Sequence, residues 1–461
     1  MVVAAARAPT ACVIGAGSSG IAAAKALDEH GIPFDCFEKS DRVGGNWVFG
    51  NVNGMSSAYR SLHINTSRQR MEYSDYPMPT TYPDFPHHTE IARYFDAYVD
   101  HFGFRDRITF QTGVQHAARD ADGAWTITLD TGEQRRYEAL VVANGHHWDP
   151  RWPEPSYPGR FGGEQLHAHH YIDNSGLRDK RVLVVGIGNS AMDISAESSF
   201  VARRTLISSR RGAYVLPKYL FGRPLDQIGV NAFTGRIPWG VRQRVLSTLF
   251  RIAVGRMEDY GLPKPDHKLG EAHPTISADF LNRIAHGELT WKPNIAALEG
   301  DVVRFADGSA EPVDVIVWCT GYRVSFPFFD ESFVAARDND LPLFKRVLRP
   351  GIDNLFFVAL LQPLGATMPI AEAQGQWIAS YLLGEYQLPP VAQMQADIEA
   401  DRARMFKRYV ASKRHTMQVD FDTYLYELDK ERRAGEERAR AGGDRLPVAP
   451  RAAAAAPTTA V

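Results

Sequence analysis

Short apolar runs stopped by glycine recur along this chain, and they open units of one kind. Residues 10–14 (Thr-Ala-Cys-Val-Ile) have the length and character of a buried strand. Gly15–Gly20 follows, and Ile21–Glu29 is alanine-rich and reads as a helix. Gly31 punctuates, and Pro33–Glu38 reads as a second strand, completing a β-α-β unit. The order returns further on, with strand Arg181–Val185, turn Gly186–Ala191, helix Met192–Phe200 and strand Thr205–Ser208. Between the two, Trp125-Thr-Ile-Thr-Leu129 alternates between Asp122-Gly123 and Thr131-Gly132, which predicts a small antiparallel meander. Ala139–Ala143, Val313–Trp318 and Leu355–Leu360 read as further buried strands, and residues from about Ile370 to Leu383 as a helix. Proline-rich residues 149–160 read as a linker, and the low-complexity stretch beyond about 445 as disordered.

Length and composition narrow the class. At about 150 residues per domain, 461 residues suggest two or three domains. The content, 44% hydrophobic and 23% charged, is that of a soluble globular protein. A net charge of -2 offers no long-range pull on nucleic acid or an anionic membrane. No apolar stretch reaches the ~18 residues of a membrane span. Cys12, Cys36 and Cys319 are scattered, which argues against a disulfide framework, a zinc site or a dithiol and suits a reducing compartment. The N-terminus has no basic leader before its short apolar run, so the expected location is cytoplasmic.

The two turns carry the first chemistry. In Gly15-Ala-Gly17-Ser18-Ser19-Gly20 the first glycine permits a sharp turn, the second a close phosphate, and the third tight helix–strand packing. The helix N-terminus then offers free amides to a pyrophosphate. Glu38, ending the next strand, suits ribose hydroxyls, so this unit is expected to bind FAD. The second turn is Gly186-Ile-Gly188-Asn189-Ser190-Ala191, and the strand after it ends in Ser-Ser-Arg210-Arg211 without a carboxylate. Arginine pairs with a 2′-phosphate, so this unit is expected to prefer NADPH. Two such units imply a flavoprotein that accepts hydride from NADPH.

Just before the second unit stands Phe161-x-Gly163-x-x-x-His167-x-x-x-Tyr171. This resembles the fingerprint of the flavin-containing monooxygenases, where related Baeyer–Villiger enzymes usually end in tryptophan. Glu38-Lys39, Gly44-Gly45-Asn46-Trp47, Ser61–Ser67, Tyr73-Ser-Asp-Tyr-Pro77, Gly145-His-His147, Asp314–Tyr322 (Cys319 replacing alanine), Gln362–Gly365 and Glu372-x-Gln374 resemble that family's segments in order. The chain departs at Arg68, where many members have lysine, and lacks the apolar tail of animal members. Residues 215–290 match no motif.

The resemblance implies that NADPH reduces FAD, that oxygen is held as a C4a-hydroperoxyflavin, and that an amine nitrogen or sulfide sulfur takes the distal oxygen. It places Lys39, Gly45, Asn46, Trp47, Ile64 and Gln374 at the flavin. Asn65 lies beside its reactive edge, Asn189 is a second catalytic candidate, and His167 links domains. It also implies an α/β fold of two Rossmann-like doubly wound parallel-sheet domains. The FAD domain (1–175 and 313–445) would be discontinuous, with the NADPH domain (176–312) inserted and a tail over 446–461. No metal is expected, since the paired histidines read as loop structure. A Baeyer–Villiger enzyme acting on ketones, or an NADPH oxidase or reductase releasing peroxide, stays open. So does a non-catalytic scaffold. A homodimer is the base expectation. Phe233, Trp239, Phe250 and Tyr260 read as core.

Overall fold

The computed structural model describes residues 8–228, 239–272, 275–408 and 417–442; the expected tail, Phe233 and the Trp239 side chain lie outside the described residues. Two five-stranded parallel sheets organise the chain. The first runs, in spatial order, Leu355–Phe357, Ala139–Val142, Ala11–Ile14, Phe34–Phe37, Ile108–Thr109. The second runs Glu164–His167, Val315–Trp318, Arg181–Val185, Arg204–Ser208, Leu289–Lys292. The central strands are buried along their whole length, because elements cover both sheet faces. Helices Ser18–Glu29 and Met368–Leu382 cover one face of the first sheet, so close that a Cβ on Gly375 would lie 3.1 Å from the Ala22 carbonyl oxygen. The meander is antiparallel, Val114–Arg119, Trp125–Leu129 and Gln134–Tyr137, and burial alternates along its central strand.

Two expectations change. Both turn helices start at the turn itself, at Ser18 and Asn189, because the glycine before each already has the extended backbone of an N-cap. The sheets also show which strands are neighbours. Val315–Trp318 hydrogen-bonds to Glu164–His167 on one side and to Arg181–Val185 on the other, so strands on both sides of the expected bounds at 176 and 312 share one sheet. Finally, the proline-rich linker is partly ordered, since Asp149–Pro150 pairs antiparallel with Tyr322–Arg323. Arg323 adds an ion pair to Asp149 at 3.1 Å. The two stretches of chain joining the sheets are thus paired with each other.

The two units are built alike in detail. A carboxylate starts the strand beside each turn strand and accepts an amide across the gap, Glu138 from Thr10 and Asp314 from Arg181, both at 2.7 Å. Glu138-Ala-Leu-Val-Val-Ala-Asn-Gly145 and Asp314-Val-Ile-Val-Trp-Cys-Thr-Gly321 are the matching stretches.

Candidate functional site

The first turn behaves as its glycines require. Gly15 has φ +97°, and a Cβ there would lie 2.8 Å from the Ala143 carbonyl oxygen; on Gly20 it would lie 1.8 Å from that of Gly15. Gly17 differs: its Cβ would meet nothing nearer than the Gly45 Cα, 3.7 Å away. No side chain caps the helix, so the amides of Ser18, Ser19 and Gly20 have no partner within it. Such a turn has the geometry that suits a pyrophosphate. Glu38 is buried and accepts from the Ala16 and Ser40 amides, both at 2.7 Å; burial raises its pKa.

The neighbouring segments frame this turn. Gly44 donates to the Ala16 carbonyl at 3.0 Å. Gly45 (φ +55°) then meets Gly17 backbone to backbone. Asn46 accepts through its amide oxygen from the Ser57 amide (2.8 Å) and hydroxyl (2.9 Å), fixing where the next segment begins. Trp47 packs on the first core, and Lys39 is exposed. The Tyr73–Pro77 motif is a clamp on the helix. Tyr73 donates to the Ser18 carbonyl at 2.6 Å, Ser74 holds Glu372, and Asp75 pairs with Lys25. Gln374, expected at the flavin, is tied into the core. It has no exposed surface, its oxygen accepts from the Ala359 amide at 2.7 Å, and its nitrogen donates to the Tyr424 hydroxyl.

The second turn repeats the first. Gly186 has φ +140°, and a Cβ there would lie 2.5 Å from the Cys319 carbonyl oxygen. Gly188 caps the helix without a side chain, Ser190 is half-buried and Ala191 is buried. Asn189 accepts from the Ile276 amide at 2.8 Å, and Thr275 donates to the Ile187 carbonyl at 2.8 Å, so strand Thr275–Ile276 braces this turn. The two arginines divide. Arg211 pairs with Asp266 at 3.3 Å, while Arg210 is exposed and makes no ion pair among the described residues. Both cradles suit dinucleotides, with acidic and basic strand ends respectively.

One segment joins the two units. Tyr59 and Leu62 belong to the second core, and Ile64 to the first. Tyr59 donates to Asp193, and Ser61 to Glu197, on the helix of the second turn. Tyr171, the last fingerprint residue, donates to the same Glu197 at 2.6 Å. Burial pushes Asp193 up to about 6. Asn65 follows directly. It is half-buried, and its side chain makes no hydrogen bond among the described residues. His167 accepts from the His169 amide at 3.1 Å and packs on Tyr322 of the paired linker, ring centroids 5.4 Å apart. Burial lowers its pKa to about 4, so it is neutral. Residues 215–290 hold contacts that sequence reasoning missed. Lys218 donates to the Ile64 carbonyl at 3.0 Å, and Asp226 accepts from the Ser67 amide at 2.6 Å. About 150 residues separate these partners, and no periodicity reveals such a pairing. Phe250 is buried and Tyr260 packs on the second core. Among the described residues no helix is long and apolar enough to cross a membrane, and no group of three metal-ligating side chains gathers.

Comparison with known proteins matches this geometry. Flavin-containing monooxygenase 5 of Rattus norvegicus is 36% identical over 434 residues, 90% of this chain and 81% of that one. The structure of S-allyl-L-cysteine S-oxygenase from Allium sativum has TM-score 0.69 and 24% identity, covering 96% of this chain and 95% of that one. An open crystal structure of cyclohexanone monooxygenase has TM-score 0.69 and 19% identity, covering 95% and 99%. The family described as flavin-binding monooxygenase-like matches residues 8–435. Two dinucleotide cradles, the segment joining them and this match make the chain a member of the flavin-binding monooxygenase-like family, an enzyme whose cofactors are FAD and NADPH.

Proposed function

We propose that this monooxygenase transfers one oxygen atom of O2 to the nitrogen or sulfur of a small soft nucleophile, with Asn65 beside the reacting atoms. The observation that carries this reading is the place of Asn65. Its amide, unpartnered among the described residues, follows a segment that spans both cores, at the step where Ile64 enters the first. Bound FAD, reduced by NADPH, would supply the two electrons and activate oxygen. The residues of the chain bind, orient and shield. The amides of Ser18–Gly20 and Asn189–Ala191 would hold the two pyrophosphates, and Arg210 would read the 2′-phosphate. Asn65 would donate its amide hydrogen where charge develops on oxygen. His167, neutral and wedged against the linker, holds structure rather than a proton.

We infer a cytoplasmic homodimer whose domains follow the sheets, with the NADPH unit running from about 164 to 318. The test is stoichiometry. With NADPH and oxygen, a panel of sulfides and tertiary amines should yield oxygenated product with little peroxide, and Asn65→Ala should shift the balance to peroxide while FAD stays bound. Peroxide equal to the NADPH consumed with every substrate would leave an oxidase. Esters formed from ketones, with amines and sulfides untouched, would make it a Baeyer–Villiger enzyme.

A further inference from the structure

The segment after the second unit's arginines forms a small strap. Strand Val215–Leu216 pairs with Thr275–Ile276, the strand that braces the second turn through Asn189. The chain then makes a hairpin, Tyr219–Leu220 against Arg223–Pro224, closed by the Leu225 amide donating to the Lys218 carbonyl at 2.9 Å. Residues at the base of this hairpin grip the Asn65 turn from both sides. Lys218 donates to the Ile64 carbonyl, which belongs to the peptide group entering Asn65. Asp226 accepts from the Ser67 amide, which belongs to the peptide group leaving Thr66. Gln227 donates to the Ser67 hydroxyl at 3.0 Å. Phe85 lies under the Lys218 ammonium, 5.0 Å from nitrogen to ring centroid, and Tyr219 packs on the same ring and donates to Asp84 at 2.7 Å.

We propose that Lys218 and Asp226 are positioning residues that fix the two peptide groups bracketing Asn65–Thr66, so that the hairpin aims the Asn65 amide and ties it to the second nucleotide turn. With both flanking peptides held, Asn65 and Thr66 keep only the backbone rotations between two anchored planes. Burial lowers the pKa of Lys218, and the Asp193 and Asp279 carboxylates act in the opposite sense. An ammonium in that setting is a directed donor rather than a solvated surface charge. One oxygen of Asp226 is buried without a partner, so the carboxylate is kept there for the Ser67 amide at some cost in desolvation.

This proposal rests on the reading of Asn65 at the reacting atoms, and the experiment separates the two. Flavin content, the rate of flavin reduction by NADPH, and the ratio of peroxide to product are measured for Lys218→Met, Asp226→Ala, Asn65→Ala and the double variant Lys218→Met with Asn65→Ala. Misplacing a catalytic group by about 1 Å costs up to ~100-fold, so Lys218→Met and Asp226→Ala should each lower product yield ~10- to 100-fold. Flavin reduction should stay within about twofold, since no donor to NADPH is removed. The double variant should be no worse than Asn65→Ala alone, because a residue acting through Asn65 has nothing left to position. Multiplying effects, or product yield unchanged in Lys218→Met and Asp226→Ala, would overturn the proposal while leaving Asn65 in place. An Asn65→Ala enzyme with unchanged product yield would overturn both. If Lys218→Met does not fold, Asp226→Ala with Asn65→Ala provides the same cycle from the other side of the turn.

Discussion

Adding one methyl group to Gly17 or to Gly20 should have opposite consequences, although the two glycines sit three residues apart in one turn. At Gly20 the new Cβ would fall 1.8 Å from the Gly15 carbonyl oxygen. That oxygen is backbone, in a residue whose own N–H donates a hydrogen bond to the Phe37 carbonyl at 2.8 Å, so it has no rotamer by which to retreat. The helix must move away from the strand by more than an ångström. Overpacking of this kind costs about 1–3 kcal/mol and sometimes more, and the backbone location puts Gly20→Ala at the upper end. For a domain of some 200 residues that is roughly 5–12 °C in melting temperature. At Gly17 the backbone is extended (φ -73°, ψ -177°) and the nearest atom is 3.7 Å away. Alanine fits there, and the loss of chain freedom on folding is smaller by about 0.4–1 kcal/mol. The methyl would instead occupy the space a pyrophosphate needs. Thermal unfolding of the flavin-free proteins and flavin titration separate these effects. Gly20→Ala should melt early without flavin; Gly17→Ala should melt at or above the parent temperature and bind FAD poorly. Full-affinity FAD binding by Gly17→Ala would refute the pyrophosphate placement, and an unshifted melting temperature for Gly20→Ala would refute the packing argument.

Three further perturbations have distinct signatures. Arg210→Ala should weaken NADPH binding by about 1.5–3 kcal/mol, the scale of a hydrogen bond to a charged group, and leave NADH unaffected; Arg211→Ala should do less, since Arg211 is engaged by Asp266. Equal losses with the two coenzymes, read by steady-state kinetics, would displace the 2′-phosphate from this site. Asp193 is raised to about 6, so its ionised form costs folding energy that is absent below pH ~4, grows between ~4 and 6, and is complete above 6. Asp193→Asn should therefore raise the urea midpoint at pH 7.5, by an energy approaching about 3 kcal/mol, and leave it unchanged at pH 4. Gln374→Leu should destabilise the flavin-free protein by roughly 2–4 kcal/mol, because the Ala359 amide and the Tyr424 hydroxyl both lose a buried partner. A variant with normal flavin-free stability but weakened FAD binding would put the role of Gln374 at the flavin rather than in this tie.

Both β-α-β units were legible because their signals are local. A buried strand, a glycine turn and a helix lie within 30 residues, and the steric reason for each glycine is visible at Gly15, Gly20 and Gly186. Sheet membership was not legible, because apolar runs do not name their neighbours. Val315–Trp318 reads equally well in either sheet, and only the register Val182↔Val315 decides. Gln374 was named at the flavin by resemblance alone, and its hydrogen bonds to Ala359 and Tyr424 were not legible because those partners lie far off in sequence. The contacts on the Asn65 turn were hidden for the same reason, Lys218 and Asp226 being ordinary charged residues in a stretch without motif or period.

The pairing of Asp149–Pro150 with Tyr322–Arg323 has a mechanical consequence. A module hung on one strand of chain can swivel, tilt and drift, whereas two strands zipped side by side act as a strap hinge. The strap flexes across its width and resists torsion, and a single proteolytic nick in either strand leaves the other to carry the load. His167 and Trp152 pack at this strap with ring centroids 5.7 Å apart, so twisting it would disturb that contact.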